Sequence, residues 1–274
     1  MDIKMVVCDL DGTLLTPSGK ISAKTKETIR KLKEHNILFG ICSGRSAVAL
    51  KELIHHWGIG EYVDFVLGFN GGMLYDPKTE TFEQWHTVDK DDLPAVIESF
   101  KGYPVAFGEY TGRKFQATKA NLLTRQMARR NKIDFEVCGE KDLLQDTSKF
   151  MAVGMPWTIS RYLKNRKDLK GVRMFRSGPF LIEIIHPKLS KLEGVKILAQ
   201  RYGIRPDQVL SFGNDNNDLE MLAGTSGVAM ANALPQVKEA APYLTLSNRR
   251  NGVADFIEKN VLNAKPALES RSER

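Results

Sequence analysis

Four short runs of the chain are apolar almost throughout, and each stops at a cluster of small and polar residues. Met5-Val6-Val7-Cys8 leads into Asp9-Leu10-Asp11-Gly12-Thr13, and Ile37-Leu38-Phe39-Gly40-Ile41-Cys42 into Ser43-Gly44-Arg45. Phe65-Val66-Leu67-Gly68-Phe69 leads into Asn70-Gly71-Gly72, and Val209-Leu210-Ser211-Phe212 into Gly213-Asn214-Asp215-Asn216-Asn217-Asp218. Continuous apolar runs of this length, bounded by turn residues, predict strands buried on both faces. Helical spacing follows the first run, through Ile29 and Leu32 to about His35, and follows the second through Val48, Leu50, Leu53 and Ile54. Gly227-Val228-Ala229-Met230 and Tyr243-Leu244-Thr245-Leu246 predict two more strands, with helical segments near 218–223, 234–241 and 251–262. Strands alternating with helices imply an α/β fold with a Rossmann-like, doubly wound parallel sheet. Ligands of such sheets bind beyond the carboxyl ends of the strands, where Asp9, Ser43, Asn70 and Asn214 stand.

Between about Phe82 and His186 the texture changes. Val105-Ala106-Phe107, Phe150 to Met155 and the alternating Leu181-Ile182-Glu183-Ile184-Ile185 read as strands, with helical patterns near 91–100, 121–131 and 159–167. This mixture predicts an inserted α+β domain. The expected division is a discontinuous core of residues 1–82 and 187–265, an α+β cap of 83–186, and a polar tail of 266–274.

Composition narrows the field of functions. The 274 residues are 42% hydrophobic, enough for a substantial core, and 40 Lys plus Arg against 33 Asp plus Glu leave a net charge of +7. That charge favours anionic ligands, but the basic residues are scattered and form no nucleic-acid-binding motif. Cys8, Cys42 and Cys138 are odd in number and none forms a Cys-x-x-Cys pair, which favours reduced thiols in a cytoplasmic protein. No apolar run approaches the ~18 residues of a membrane span, and the N-terminus lacks the order of a signal peptide.

The candidate chemistry begins with two carboxylates. Strand alternation would aim Asp9 and Asp11 into one space, where like charges call for a cation, a shared proton or a reacting partner. Ser43 and Gly44 offer a hydroxyl and a backbone N–H at a strand end that opens a helix. Ser190-Lys191-Leu192-Glu193 reads as a capping box, which puts Lys191 in the first helical turn, unfavourable for a cation unless an anion lies near. The five histidines show no metal-ligand spacing.

A strand ending Asp-x-Asp-x-Thr, a strand ending Ser-Gly-Arg, a helix-opening lysine and a later Gly-x-x-x-Asn-Asp, in this order, resemble the haloacid dehalogenase superfamily. The position of the insert, together with Asn70-Gly71-Gly72 and Val228-Ala229-Met230-Ala231-Asn232-Ala233, resembles the Cof-type phosphatase subfamily with its large α/β (C2B-type) cap. The resemblance implies Asp9 as a nucleophile forming an aspartyl-phosphate, Asp11 as general acid and then base, and Thr13 as a buttress. It implies phosphate contacts from Leu10, Ser43, Gly44, Lys191 and Asn217, with Lys188 a lesser alternative to Lys191 because Leu192 stands where the family usually has Gly.

The family's metal-binding Asp in the last motif is replaced here by Asn214. The expected Mg2+ ligands are Asp9, Asp11 through its backbone, Asn214 and water, with Asp218 ordering a metal-bound water or pairing with Lys191, and Asp215 open as a substitute for Asn214. The resulting expectation is a Mg2+-dependent phosphatase, monomeric or homodimeric, acting on a small cytosolic phosphomonoester of sugar phosphate, flavin-pathway phosphate or pyridoxal phosphate type. The competing reading is a non-catalytic phospholigand-binding protein, prompted by the charge missing at Asn214.

Overall fold

A computed structural model describes residues 1–131 and 133–263, so the polar tail expected at 266–274 lies outside the described residues. The strands are β1 (Met5–Cys8), β2 (Leu38–Cys42), β3 (Phe65–Gly68), β4 (Met73–Asp76), β5 (Thr81–Gln84), β6 (Val105–Thr111), β7 (Lys114–Ala117), β8 (Asp134–Val137), β9 (Phe150–Gly154), β10 (Arg173–Gly178), β11 (Leu181–Ile185), β12 (Val209–Gly213), β13 (Ser226–Ala229) and β14 (Tyr243–Leu244). The α-helices are α1 (Ala23–Glu34), α2 (Ala47–His56), α3 (Leu93–Ser99), α4 (Leu122–Asn131), α5 (Pro156–Asn165), α6 (Lys191–Arg201), α7 (Leu219–Ala223), α8 (Pro235–Ala240) and α9 (Gly252–Ile257). They fall into two compact units, one drawn from residues 1–41, 57–64 and 196–263, the other from 42–56 and 65–195.

The first unit is built on a parallel sheet in the order β14-β13-β12-β1-β2. Strand β1 is apolar at every position because neither face meets water, and Met5, Val6, Val7 and Cys8 are fully buried. α1 starts where Ser22 Oγ accepts the Thr25 N–H at 3.1 Å, and buries Ile29 and Leu32. It packs against α9, while α7 packs against β12 and β13.

In the second unit β3, β4 and β5 form an antiparallel meander, and six strands form a separate sheet in the order β10-β11-β9-β6-β7-β8. That sheet is antiparallel except for the β7·β8 pair. Alternation along β9 sorts its two faces. Phe150 and Ala152 join Leu93 and Val96 of α3 and Ile159 and Tyr162 of α5 in one cluster, whereas Met151 joins Phe115 and Ala128 of α4 in another. Each buried aromatic or branched side chain here stabilises the unit by about 1.5–3 kcal/mol. Between Leu93 and Ile185 strands and helices mix in the α+β texture expected of that stretch.

Two elements depart from the sequence pattern. β5 is exposed at all four positions and has Phe82 as its single apolar residue. The helix expected at 159–167 begins earlier, because Pro156 at its first turn has a fixed φ suited to helix initiation and no N–H to leave unpaired.

Candidate active site

In the first unit the carboxyl ends of β1 and β12 lie side by side, joined by the Asp9 N–H donating to Phe212 O at 3.0 Å. β1 stops at Cys8, so the alternation expected to aim Asp9 and Asp11 does not operate, and both residues belong to a turn. Leu14 N donates to Asp9 O at 3.2 Å and Leu15 N to Leu10 O at 3.0 Å, closing two overlapping wide turns. Closure requires Gly12 at φ +89°, in the left-handed region. Asp9 is buried, Leu10 is fully buried as an apolar plug, and Asp11 is exposed.

Asn214 is held against this turn. Thr13 donates its hydroxyl to Asn214 Oδ1 at 2.7 Å, and a Cβ added at Gly12 would lie 2.7 Å from Asn214 Nδ2. The Asn232 side-chain amide donates to Gly12 O at 2.8 Å. Asp218 is fully buried, and its Oδ2 accepts the Asn214 N–H at 2.8 Å and the Asp215 N–H at 3.0 Å. It thereby clamps the backbone on which Asn214 sits. Asp215 is exposed and caps its own turn, Oδ1 accepting the Asn216 N–H at 2.7 Å, and Asn217 is exposed one residue before the clamp. Of the two metal-ligand readings left open by the sequence, Asn214 is the one seated against the Asp9–Thr13 turn.

Of the residues expected at the phosphate, Ser43, Gly44 and Lys191 belong to the second unit, whereas Leu10 and Asn217 belong to the first. Ser43 follows β2 and is buried, and its carbonyl accepts the Asn70 N–H at 2.9 Å. A Cβ at Gly44 would meet Asn70 Oδ1 at 3.3 Å. The 68–72 turn in its own right meets the start of α6, where a Cβ on Gly71 would sit 2.6 Å from Ser190 O. Ser190 Oγ accepts the Glu193 N–H at 3.2 Å, as the capping box predicts. Lys191 is fully buried as the first residue of α6, whereas Lys188 is exposed.

The donor set in the first unit is oxygen-rich and suited to a hard cation. An amide oxygen has two lone pairs, so Asn214 Oδ1 can accept from Thr13 and still ligate. Among the described residues no group of three or more His, Cys, Asp or Glu is arranged to hold a metal ion. Burial, and then the Asp9 charge, push the Cys8 thiol well above its ordinary pKa, so it is inert beside the candidate nucleophile.

A family model for haloacid dehalogenase-like hydrolases matches residues 6–257. The chain belongs to that family. YxeH of Bacillus subtilis is 31% identical over 94% of this chain and 98% of its own length. The 5-amino-6-(5-phospho-D-ribitylamino)uracil phosphatase YwtE of the same organism is 26% identical over 94% of this chain and 98% of its own. A crystal structure of a haloacid dehalogenase-like hydrolase from Bacteroides thetaiotaomicron covers 94% of this chain and 99% of its own at a TM-score of 0.83 and 27% identity. This member of the family is a phosphoric monoester hydrolase.

Two charged residues of this hydrolase escaped the sequence reading. Lys149 Nζ donates to Glu183 Oε1 at 3.0 Å and to Gly44 O at 2.6 Å, and both side chains are buried. The signal was a charge interrupting an apolar strand, as Glu183 does within Leu181-Ile182-Glu183-Ile184-Ile185.

Proposed function

We propose that the chain is a Mg2+-dependent phosphatase that hydrolyses a small phosphomonoester through an aspartyl-phosphate. The observation that carries this reading is Asp9, buried at the end of the parallel strand β1 beside Asn214, which Thr13 and Gly12 hold in place. The Asp9 carboxylate attacks phosphorus, the ester P–O bond breaks, and Asp11 gives its proton to the departing alkoxide. Asp11 then takes a proton from water, whose oxygen attacks the same phosphorus. Phosphate leaves and the Asp9 carboxylate is restored. Ser43, Gly44, Lys191, Asn217 and the Leu10 backbone serve the phosphate oxygens, whose charge a buried lysine neutralises strongly. Asp9, the Asp11 backbone and Asn214 would hold Mg2+, with Asp218 supporting the loop, and the ion would supply charge neutralisation to the transferring group.

The division into a core of 1–82 and 187–265 and a cap of 83–186 suits such an enzyme, the cap excluding water from the leaving group. The name of YwtE supports a ribityl or similar sugar-alcohol phosphate of flavin-pathway type, ahead of plain sugar phosphates and pyridoxal phosphate. Three cysteines without a Cys-x-x-Cys pair support a cytoplasmic location, and among the described residues no helix is long and apolar enough to cross a membrane. We assign a monomer or homodimer with no nucleic-acid partner. Purified protein with millimolar Mg2+ and a generic aryl phosphate tests the reading. Turnover that vanishes in EDTA and in Asp9→Asn supports it, and phosphate-ester binding without metal-dependent turnover returns the non-catalytic alternative. A panel of metabolite phosphates, read as kcat/KM, then ranks the substrates.

A further inference from the structure

Lys149 and Glu183 take no part in the chemistry above, although both are charged and buried in the second unit. Lys149 immediately precedes β9, and Glu183 is central in β11, on the face that carries Met151 opposite it. Burying such a pair is costly unless each atom is well partnered, and replacing it by apolar residues is often neutral or stabilising. A buried pair of this kind is weak evidence for stability, which directs attention to its partners.

Lys149 Nζ donates to Gly44 O at 2.6 Å and to Glu183 Oε1 at 3.0 Å. Glu183 Oε2 accepts from Asn70 Nδ2 at 3.4 Å, and Asn70 N–H in turn donates to Ser43 O at 2.9 Å. Lys149 Nζ also lies 5.6 Å from the centre of the Phe69 ring, beside Asn70 in sequence. The contacts close a circuit from Gly44 O through Lys149, Glu183 and Asn70 to Ser43 O.

Both carbonyls of the Ser43–Gly44 turn are thus engaged, and planar trans peptides convert that into control of two N–H groups. With Ser43 C=O turned to Asn70, the Gly44 N–H in the same peptide unit must point the opposite way. With Gly44 C=O turned to Lys149, the Arg45 N–H points away from it, and it donates to Ser43 Oγ at 3.3 Å. A hydroxyl oxygen that accepts from Arg45 directs its own hydrogen elsewhere, toward an acceptor such as a phosphate oxygen.

We infer that Lys149 and Glu183 are positioning residues for the Ser43–Gly44 turn, setting the Gly44 N–H and the Ser43 hydroxyl for a phosphate. The inference rests on that turn being the phosphate-binding one. Neither residue touches the ester, so their loss acts equally on substrates with different leaving groups.

The test is calorimetric titration of inorganic phosphate, with Mg2+ present, into the wild-type protein, Lys149→Met, Glu183→Gln and the double variant Lys149→Met/Glu183→Met. Each variant is expected to bind phosphate on the order of tenfold more weakly, a loss suited to a slightly misplaced group, with KM for two aryl phosphates of different leaving group rising by a common factor. The double variant leaves no unpaired buried charge and is expected to keep its thermal midpoint, separating positioning from folding. Wild-type phosphate affinity in a folded double variant overturns the inference, as does a KM effect confined to one leaving group. Failure of the phosphatase reading would appear in the wild-type protein, as absent turnover, and failure of this inference appears only in the variants.

Discussion

Thr13 reaches Asn214 across 201 residues of sequence, its hydroxyl donating to the amide oxygen at 2.7 Å. The bond fixes which side of the Asn214 amide faces the Asp9–Thr13 turn. It also has a consequence for metal affinity, because a neutral oxygen shared with a hydroxyl attracts a dication less than a carboxylate does. Asn214→Asp is expected to lower the Mg2+ concentration for half-maximal turnover by about tenfold, and Thr13→Val to raise it several-fold, through loss of the orienting bond. An unchanged Mg2+ dependence in Asn214→Asp would assign the ligand to Asp215 or another residue.

The two aspartates should separate by variant. Asp9→Asn is expected to abolish turnover and to weaken Mg2+ binding, since it removes the nucleophile and a charged ligand together. Asp11→Asn is expected to lose turnover while retaining Mg2+ better, because only its backbone is assigned to the ion. Titration of the metal into each variant, beside initial rates, gives the comparison; wild-type rates in Asp11→Asn would end its acid and base role.

Gly12 is constrained twice, by its φ of +89° and by Asn214 Nδ2 only 2.7 Å from where a Cβ would stand. Gly12→Ala is expected to cost about 1–3 kcal/mol of stability and to displace the Asn214 amide. Urea unfolding measures the first effect and the Mg2+ dependence of turnover the second. Stability equal to wild type would mean that the turn relaxes without strain.

Glu109, buried in β6, has its pKa raised by desolvation, against hydrogen bonds that include Gln145 Nε2 donating to Oε1 at 2.5 Å. A carboxyl with a raised folded-state pKa binds protons more tightly folded than unfolded. Its contribution to stability is present below the ordinary glutamate range and is lost as pH rises through the folded value. Glu109→Gln removes that dependence, so the variant is expected to gain thermal midpoint over wild type near pH 7 and to lose the advantage toward pH 4. A pH-independent difference would refute the desolvation argument.

The strands that carry the candidate site were legible because burial on both faces leaves a plain mark, an unbroken apolar run such as Met5 to Cys8 or Phe65 to Phe69. The capping box at Ser190 was legible for a local reason, since its bond to Glu193 N spans three residues. Asp215 illustrates the limit. Sequence alone left it open as a substitute for Asn214 as a metal ligand, and only the turn, with Asp215 capping Asn216 and Asp218 clamping the backbone, seats Asn214 against Gly12. β5 was illegible because an exposed edge strand needs no apolar run, only a partner to pair with, and Phe82 alone makes no pattern.

By itself the sequence determined the α/β class, the order of the strands' chemical endings and membership of a hydrolase family, because periodicity and local motifs are written over a few consecutive residues. The tertiary structure decided which distant groups meet. Thr13 with Asn214, and Lys149 with both Glu183 and Gly44, are pairings between segments far apart in the chain. Such contacts depend on strand register and turn geometry, which a one-dimensional pattern does not encode; a charge buried in an apolar strand says only that a partner exists.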